Sequence, residues 1–201
     1  MKTRYSLLAL LMWVGMMAQA QQSYVHQIQS ERDSINHHFA DTATSILPKG
    51  ELDSFHGLHF YPPDTSFRIK ARFKKSIGKP FEMQTSTARL PVYQRYGYLK
   101  FRINGTKCKL SVYENVKLRE DTSYQGYVFC PFRDLSNTDS TYGGGRYLDF
   151  NIDELKAVTI VDFNQCYNPY CAYNNRYSCP VPPKENQLKV RIDAGVKKWH
   201  E

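Results

Sequence analysis

Leu99-Lys-Phe-Arg-Ile-Asn-Gly-Thr-Lys-Cys-Lys-Leu-Ser-Val112 is the stretch whose reading decides the fold. Leu99, Phe101 and Ile103 alternate with charged residues, which places them on one side of an extended strand. Asn104-Gly105 then supplies two residues that tolerate the positive φ angles of a type I′ turn. Thr106, Cys108, Leu110 and Val112 alternate onward. A two-residue turn pairs Ile103 with Thr106, Phe101 with Cys108 and Leu99 with Leu110, so the inward members of both strands share a face. Turn chemistry and hydrophobic period select the same register independently. On the other face Lys100 meets Lys109 and Arg102 meets Lys107. Like charges directly opposed are unfavourable, so the reading there is long side chains splayed into water, with an anion-docking face as the alternative.

Upstream, Phe67, Ile69, Ala71 and Phe73 alternate with Arg68, Lys70 and Arg72, another half-buried strand. Further strands are expected at about 124–132, 158–163 and 188–192. The continuous Ala-Val-Thr-Ile-Val run at 157–161 suggests burial on both faces. Nearer the start, Tyr24, Ile28, Ile35 and Phe39 recur at spacings of 4, 7 and 4, one face of a helix over about 24–39. Asp41 through Pro48 reads as its end. Strands do not alternate with long helices, and no internal repeat occurs. The fold class is therefore all-β, a mainly antiparallel sandwich or barrel with one N-terminal helix.

Lys2 and Arg4, an apolar run from Leu7 to Met17, and Ala18-Gln-Ala20 follow the order of a secretory signal peptide. Residues 1–20 are expected to be removed, leaving 21–201 as a single β-rich domain, periplasmic or extracellular. The net charge is +8 for the chain and +6 without Lys2 and Arg4. No basic run exceeds two residues and no nucleic-acid motif occurs, so a solvated basic surface is the reading and nucleic acid is not an expected partner. No integral membrane segment is expected after the leader.

The chemistry-bearing residues crowd the C-terminal third. Thr141-Tyr-Gly-Gly-Gly-Arg-Tyr-Leu-Asp149 holds Tyr142, Gly143, Gly144, Gly145, Arg146 and Asp149. Its glycines let the backbone approach a ligand, and Arg146 beside them would complete an anion nest. The competing reading is a tight turn whose Arg146 is held by Asp149 or Asp162. Asp162 and Asn164 flank Phe163 at a strand end, where a carboxylate serves as a general base, a ligand anchor or a structural partner for Arg146. The loop 164–186 is long enough to need a function or a staple. Tyr167, Tyr170, Tyr173 and Tyr177 with Asn164, Asn168, Asn174 and Asn175 have the composition of a recognition surface for a sugar or another polar small molecule; covering the core and capping turns would use the same residues.

Cys166, Cys171 and Cys179 also lie in this loop. A Cys171–Cys179 disulfide would close a short loop in an oxidising compartment. A nucleophilic Cys171 is the alternative, with none of the six histidines nearby in sequence to serve as its base. The spacing is not that of a zinc knuckle or ribbon, and neither metal nor cofactor is implied. Cys108 lies on the apolar face of its strand and reads as a small buried hydrophobe.

Phe55-His-Gly-Leu58, Phe129-Cys-Pro-Phe-Arg-Asp134, the glycine cluster 141–149, Asp162-Phe-Asn164, Tyr167-Asn-Pro-Tyr-Cys-Ala-Tyr173, Cys179-Pro-Val-Pro-Pro183 and Asn186 together resemble domain-of-unknown-function family 1684, in order and over nearly all of residues 21–201. The resemblance implies a bacterial or archaeal protein with no established activity to carry over. In that family an Ala commonly stands at the position of Cys166 and an aliphatic residue at that of Cys130. Cys171 and Cys179 belong to the shared motif. Ala194-Gly-Val196 replaces a more usual Ala-Gly-Glu, a departure that favours a structural or binding role.

The leading functional reading is an exported protein that binds a polar small ligand at Tyr142–Arg146, Asp149, Asp162, Asn164, Tyr167, Asn168 and Tyr173. The alternatives are an enzyme, for example a hydrolase, using Asp162 or Cys171, and a structural or interaction module without a pocket.

Overall fold

Side-chain period sets the order of elements: helix α1 (Lys2–Ala40), a short α2 (Lys49–Leu52), then strands β1 (Arg68–Lys75), β2 (Phe81–Glu82), β3 (Val92–Ile103), β4 (Thr106–Asn115), β5 (Tyr127–Phe132), β6 (Arg146–Asn151) and β7 (Val158–Asp162). The computed structural model describes residues 2–200, with side chains from 19 onward. The charged start and apolar run of the expected leader are among the side chains outside that description.

The strands form one antiparallel sheet in the order β6-β5-β4-β3-β1-β7, with β2 added beside β3. It curls into a half-barrel, as strand twist favours. Its hollow encloses Leu99, Leu110, Val128, Leu148 and Val161 from five strands, together with Phe163 and the C-terminal residues Leu188, Val190 and Ile192. The fold is therefore the expected mainly antiparallel β class with an N-terminal helix. The hairpin has the expected register, Leu99 opposite Leu110 and Phe101 opposite Cys108. Asn104 and Gly105 turn at φ 47° and 77°, the paired positive angles of a type I′ turn. Lys100 and Lys109, though opposed, place their ammonium groups 5.2 and 5.4 Å from the Tyr98 ring centroid, so a shared aromatic face offsets part of their repulsion.

Four local expectations are corrected. The run at 157–161 is not buried on both faces: Val158 and Ile160 are 62% and 37% exposed, while Thr159 and Val161 are buried. β7 is an edge strand covered on one side only. Residues 188–192 alternate into the core but form no strand; they are held by Leu188 N–H on the Arg133 carbonyl and Leu135 N–H on the Val190 carbonyl. β5 begins at Tyr127, after a 3-10 turn over Thr122–Tyr124. β6 was not expected at all, because three consecutive glycines disguise the strand that follows them.

On α1 the stripe facing the domain runs through half-buried Tyr24 and buried Ile28, Arg32 and Phe39, whereas Ile35 is 37% exposed. A stripe chosen by hydrophobicity misses Arg32, whose stem packs while its guanidinium donates to the carbonyls of Tyr61 (2.8 Å) and Asn164 (3.4 Å) and lies over Phe60. Tyr24 donates to Asp162 at 2.8 Å. Phe39 closes a second cluster with Ile46, Leu47 and Tyr173. The helix is thus docked against the turn after β7 and the loop beyond it. Among the described residues no helix is long and apolar enough to cross a membrane.

Candidate functional site

Alternation along β5 and β6 builds two different surfaces. Val128, Cys130 and Phe132, with Arg146, Leu148 and Phe150, face the hollow. Tyr127, Phe129, Tyr147 and Asp149 face the other way. Phe129 pairs with Asp149 across the strands. The loop after β7 lies along the free edge of β6, where Tyr147 and Tyr167 exchange backbone hydrogen bonds of 2.9 and 3.1 Å. That contact brings Tyr167 to the outer face, beside Asp149.

The result is a cleft of about 880 Å³ between the outer sheet face, α1 and the 164–173 loop. Asp149 accepts hydrogen bonds from Tyr127 Oη (2.8 Å) and from Tyr167 Oη (2.8 and 2.9 Å). Crowding by rings raises its carboxyl above the ordinary range, against the two phenols that pull it down. Burial, with the adjacent carboxylate, raises both phenols, so Tyr127 and Tyr167 stay protonated and donating. Tyr93, Phe129 and Tyr147 floor the cleft, and Tyr124 and Tyr170 stand exposed at its mouth. Arg32 Nε and Asn168 Oδ1 have no partner within the protein, and both residues line the same cleft. Both atoms are buried beneath the cleft wall, and the polar groups open to the space are those of Asp149 and its phenols.

Of the residues singled out in the sequence, Asp149, Asn164, Cys166, Tyr167, Asn168, Tyr170, Tyr173 and Cys179 line this cleft. The others serve elsewhere. Arg146 is fully buried, paired with Asp134 at 2.8 Å and donating to the carbonyls of Ala194, Val196 and Ile192. Its partner is neither Asp149 nor Asp162, because β6 turns it into the hollow, where Asp134 also receives Ser136 N–H and Ile192 N–H. The glycines make room for protein atoms: a Cβ on Gly144 would fall 2.2 Å from the Tyr142 ring, and one on Gly145, at φ 97°, 2.6 Å from the Phe132 carbonyl. Asp162 caps the turn over Phe163–Gln165, bonds Tyr24 and lies 3.7 Å from Arg68. Asn164 brackets the Asp64 backbone with two bonds of 2.8 Å.

Cys171 and Cys179, the expected disulfide pair, lie beside each other without an S–S bond, and all five cysteines are free in the structure. The loop is held without it: Cys179 carbonyl accepts from Ser86 N–H (2.9 Å), Val181 N–H donates to Gln84 (2.8 Å), and Tyr147 Oη donates to the Pro180 carbonyl. Cys171 N–H points at Cys179 Sγ, 3.2 Å away. Hydrogen bonding with Cys179 outweighs partial burial and pulls the Cys171 thiol down to about 6; the same contact, with burial, raises Cys179.

Sequence reasoning missed Tyr93, Tyr124, Tyr127, Tyr147 and Arg32. Only for Tyr127 and Phe129 was a signal present: alternation in β5 put them on the face away from Val128 and Cys130.

These features define a class: a curled antiparallel sheet, braced by an N-terminal helix, with an aromatic cleft and one carboxylate on its outer face. Residues 53–197 match the family described as protein of unknown function (DUF1684), and the chain belongs to that family. A solved structure with the same fold is the solution NMR structure of an uncharacterised protein of Haloarcula marismortui, 29% identical, with a TM-score of 0.68 over 89% of this chain and 96% of that one. No curated protein matches the chain. Asp149, Tyr127 and Tyr167 fall inside the family region, whereas α1 precedes it.

Proposed function

We propose that this protein is exported and binds a small polar molecule in the cleft over β5 and β6. The observation that carries the reading is Asp149, a carboxylate gripped by two protonated phenols and open to an aromatic-walled space of about 880 Å³. Ring faces supply contact area at low entropic loss, and the few polar groups fix orientation. For export, the support is the charged start, apolar run and Ala18-Gln-Ala20 order. Cleavage before Gln21 keeps Tyr24, Ile28, Arg32 and Phe39, the side chains that dock α1.

Ligand binding is tested by a thermal-shift screen of polar metabolites against the full chain and an Ile35→Trp variant, whose indole would intrude into the cleft from α1. Stabilising compounds are expected for the native chain and not for the variant. Compounds that stabilise both equally, or none at all, would remove the reading. Export is tested by mass spectrometry of protein from the native envelope: a chain starting at Gln21 is expected, and an intact Met1 on cytoplasmic protein would refute it.

A further inference from the structure

The cleft holds a charge that the protein does not balance. Among the described residues, Asp149 has no Lys, Arg or His within ion-pair distance, although the chain carries a net charge of +8. Asp134 has its Arg146 and Asp162 its Arg68, whereas Asp149 has only phenols. A second carboxylate, Glu31 of α1, lines the same space. Arg32, which lines that wall, is turned to the carbonyls of Tyr61 and Asn164 and to the face of Phe60.

The rings lining the cleft form a box and not a stack. Tyr124 meets Tyr127 at 67° with centroids 6.1 Å apart, and Tyr147 meets Tyr167 at 85° and 5.8 Å. Planes crossing so steeply turn ring faces in more than one direction. Tyr124 and Tyr170, 43% and 42% exposed, extend the box to its mouth. A ring face carries negative potential and attracts a cation, most strongly one that sheds water easily.

We propose that the cleft recognises an organic cation, an alkylated ammonium group seated among these tyrosines with Asp149 as its counter-ion. The inference rests on the reading of the cleft as a ligand site and names the ligand's class. A hard metal ion is a poorer fit: calcium takes about six to eight oxygen ligands, and among the described residues no three His, Cys, Asp or Glu lie together as a metal site. A neutral sugar would stack on the rings but leave the carboxylate without a counter-charge.

Choline and its neutral isostere 3,3-dimethylbutan-1-ol, titrated separately into the full chain by calorimetry, discriminate between charge and shape. Saturable choline binding at least tenfold tighter than the isostere is expected. Asp149→Asn should weaken choline at least tenfold without lowering the melting temperature. Tyr124→Ala and Tyr170→Ala, at exposed positions, should weaken it while keeping the fold, and they stand in if the Asp149 variant is unstable. Equal binding of choline and the isostere, or glucose binding that survives Asp149→Asn, overturns the cation and leaves the cleft a ligand site. Absence of saturable choline binding also overturns it, and the Ile35→Trp screen then judges the cleft separately.

Discussion

Asp149 and Asp134 are the same residue type with opposite energetic roles. Asp134 meets a fully buried guanidinium and two backbone N–H groups. Removing Arg146 would strand that charge in the core, so Arg146→Met should lower unfolding free energy by about 3–5 kcal/mol, read as a lower urea midpoint at unchanged slope. Asp149 is raised on folding, so between its unfolded and folded pKa values the native state holds the extra proton. Stability contributed by this group therefore falls as pH rises through that window. Asp149→Asn should leave stability at pH 7 equal to or above that of the native chain; a marked loss would show that the carboxylate is structural. Cys171 is the reactive thiol by the same reasoning. Its alkylation rate should reach half its plateau near pH 6, while Cys130 and Cys166, raised by burial, stay unlabelled until the protein unfolds. A Cys171 profile that rises only above pH 8 would contradict the pairing with Cys179.

Among the elements, β4 and β5 depend on a side chain that belongs to neither. They share only the Tyr113–Phe129 pair. Asn186 fills the opening beside it: Oδ1 accepts from Ser111 N–H at 2.8 Å, and Nδ2 donates to the carbonyls of Ser111 and Pro131 at 2.8 and 2.7 Å. One amide thus replaces a missing stretch of ladder. Asn186→Ala leaves those groups buried and unpaired, at about 1–3 kcal/mol each, and should destabilise by more than about 2 kcal/mol in urea unfolding. A neutral variant would mean that the strands close on each other without it. The outer face of β5 and β6 is positioned by this same junction, so amide exchange at Tyr127 and Phe129 should quicken in the variant.

At the scale of the whole molecule, α1 is both brace and cleft wall. Among the described side chains its contacts with the domain begin at Gln21, which accepts from Thr65 Oγ1 at 3.2 Å, and continue through Tyr24, Arg32 and Asn36. A chain starting at Gln21 should match the full chain in thermal midpoint. One starting at Asp41 should melt lower and lose cleft binding, since Ile28 and Phe39 leave with the helix; equal midpoints would show the helix to be dispensable. Local chemistry made much of this architecture legible in advance. The register of β3 and β4, the strand at β1 and the existence of α1 follow from side-chain period and turn residues, which act over a few positions and need no distant partner. The residues 141–149 and 162–179 were recognisable as special for the same reason. Their roles were not: Arg146 finds Asp134 because β6 points inward there, and Asp149 meets Tyr127 and Tyr167 because a strand pair and an edge-packed loop converge. Whether a carboxylate closes a core or stands open in a cleft depends on what surrounds it, and only the tertiary structure decides that.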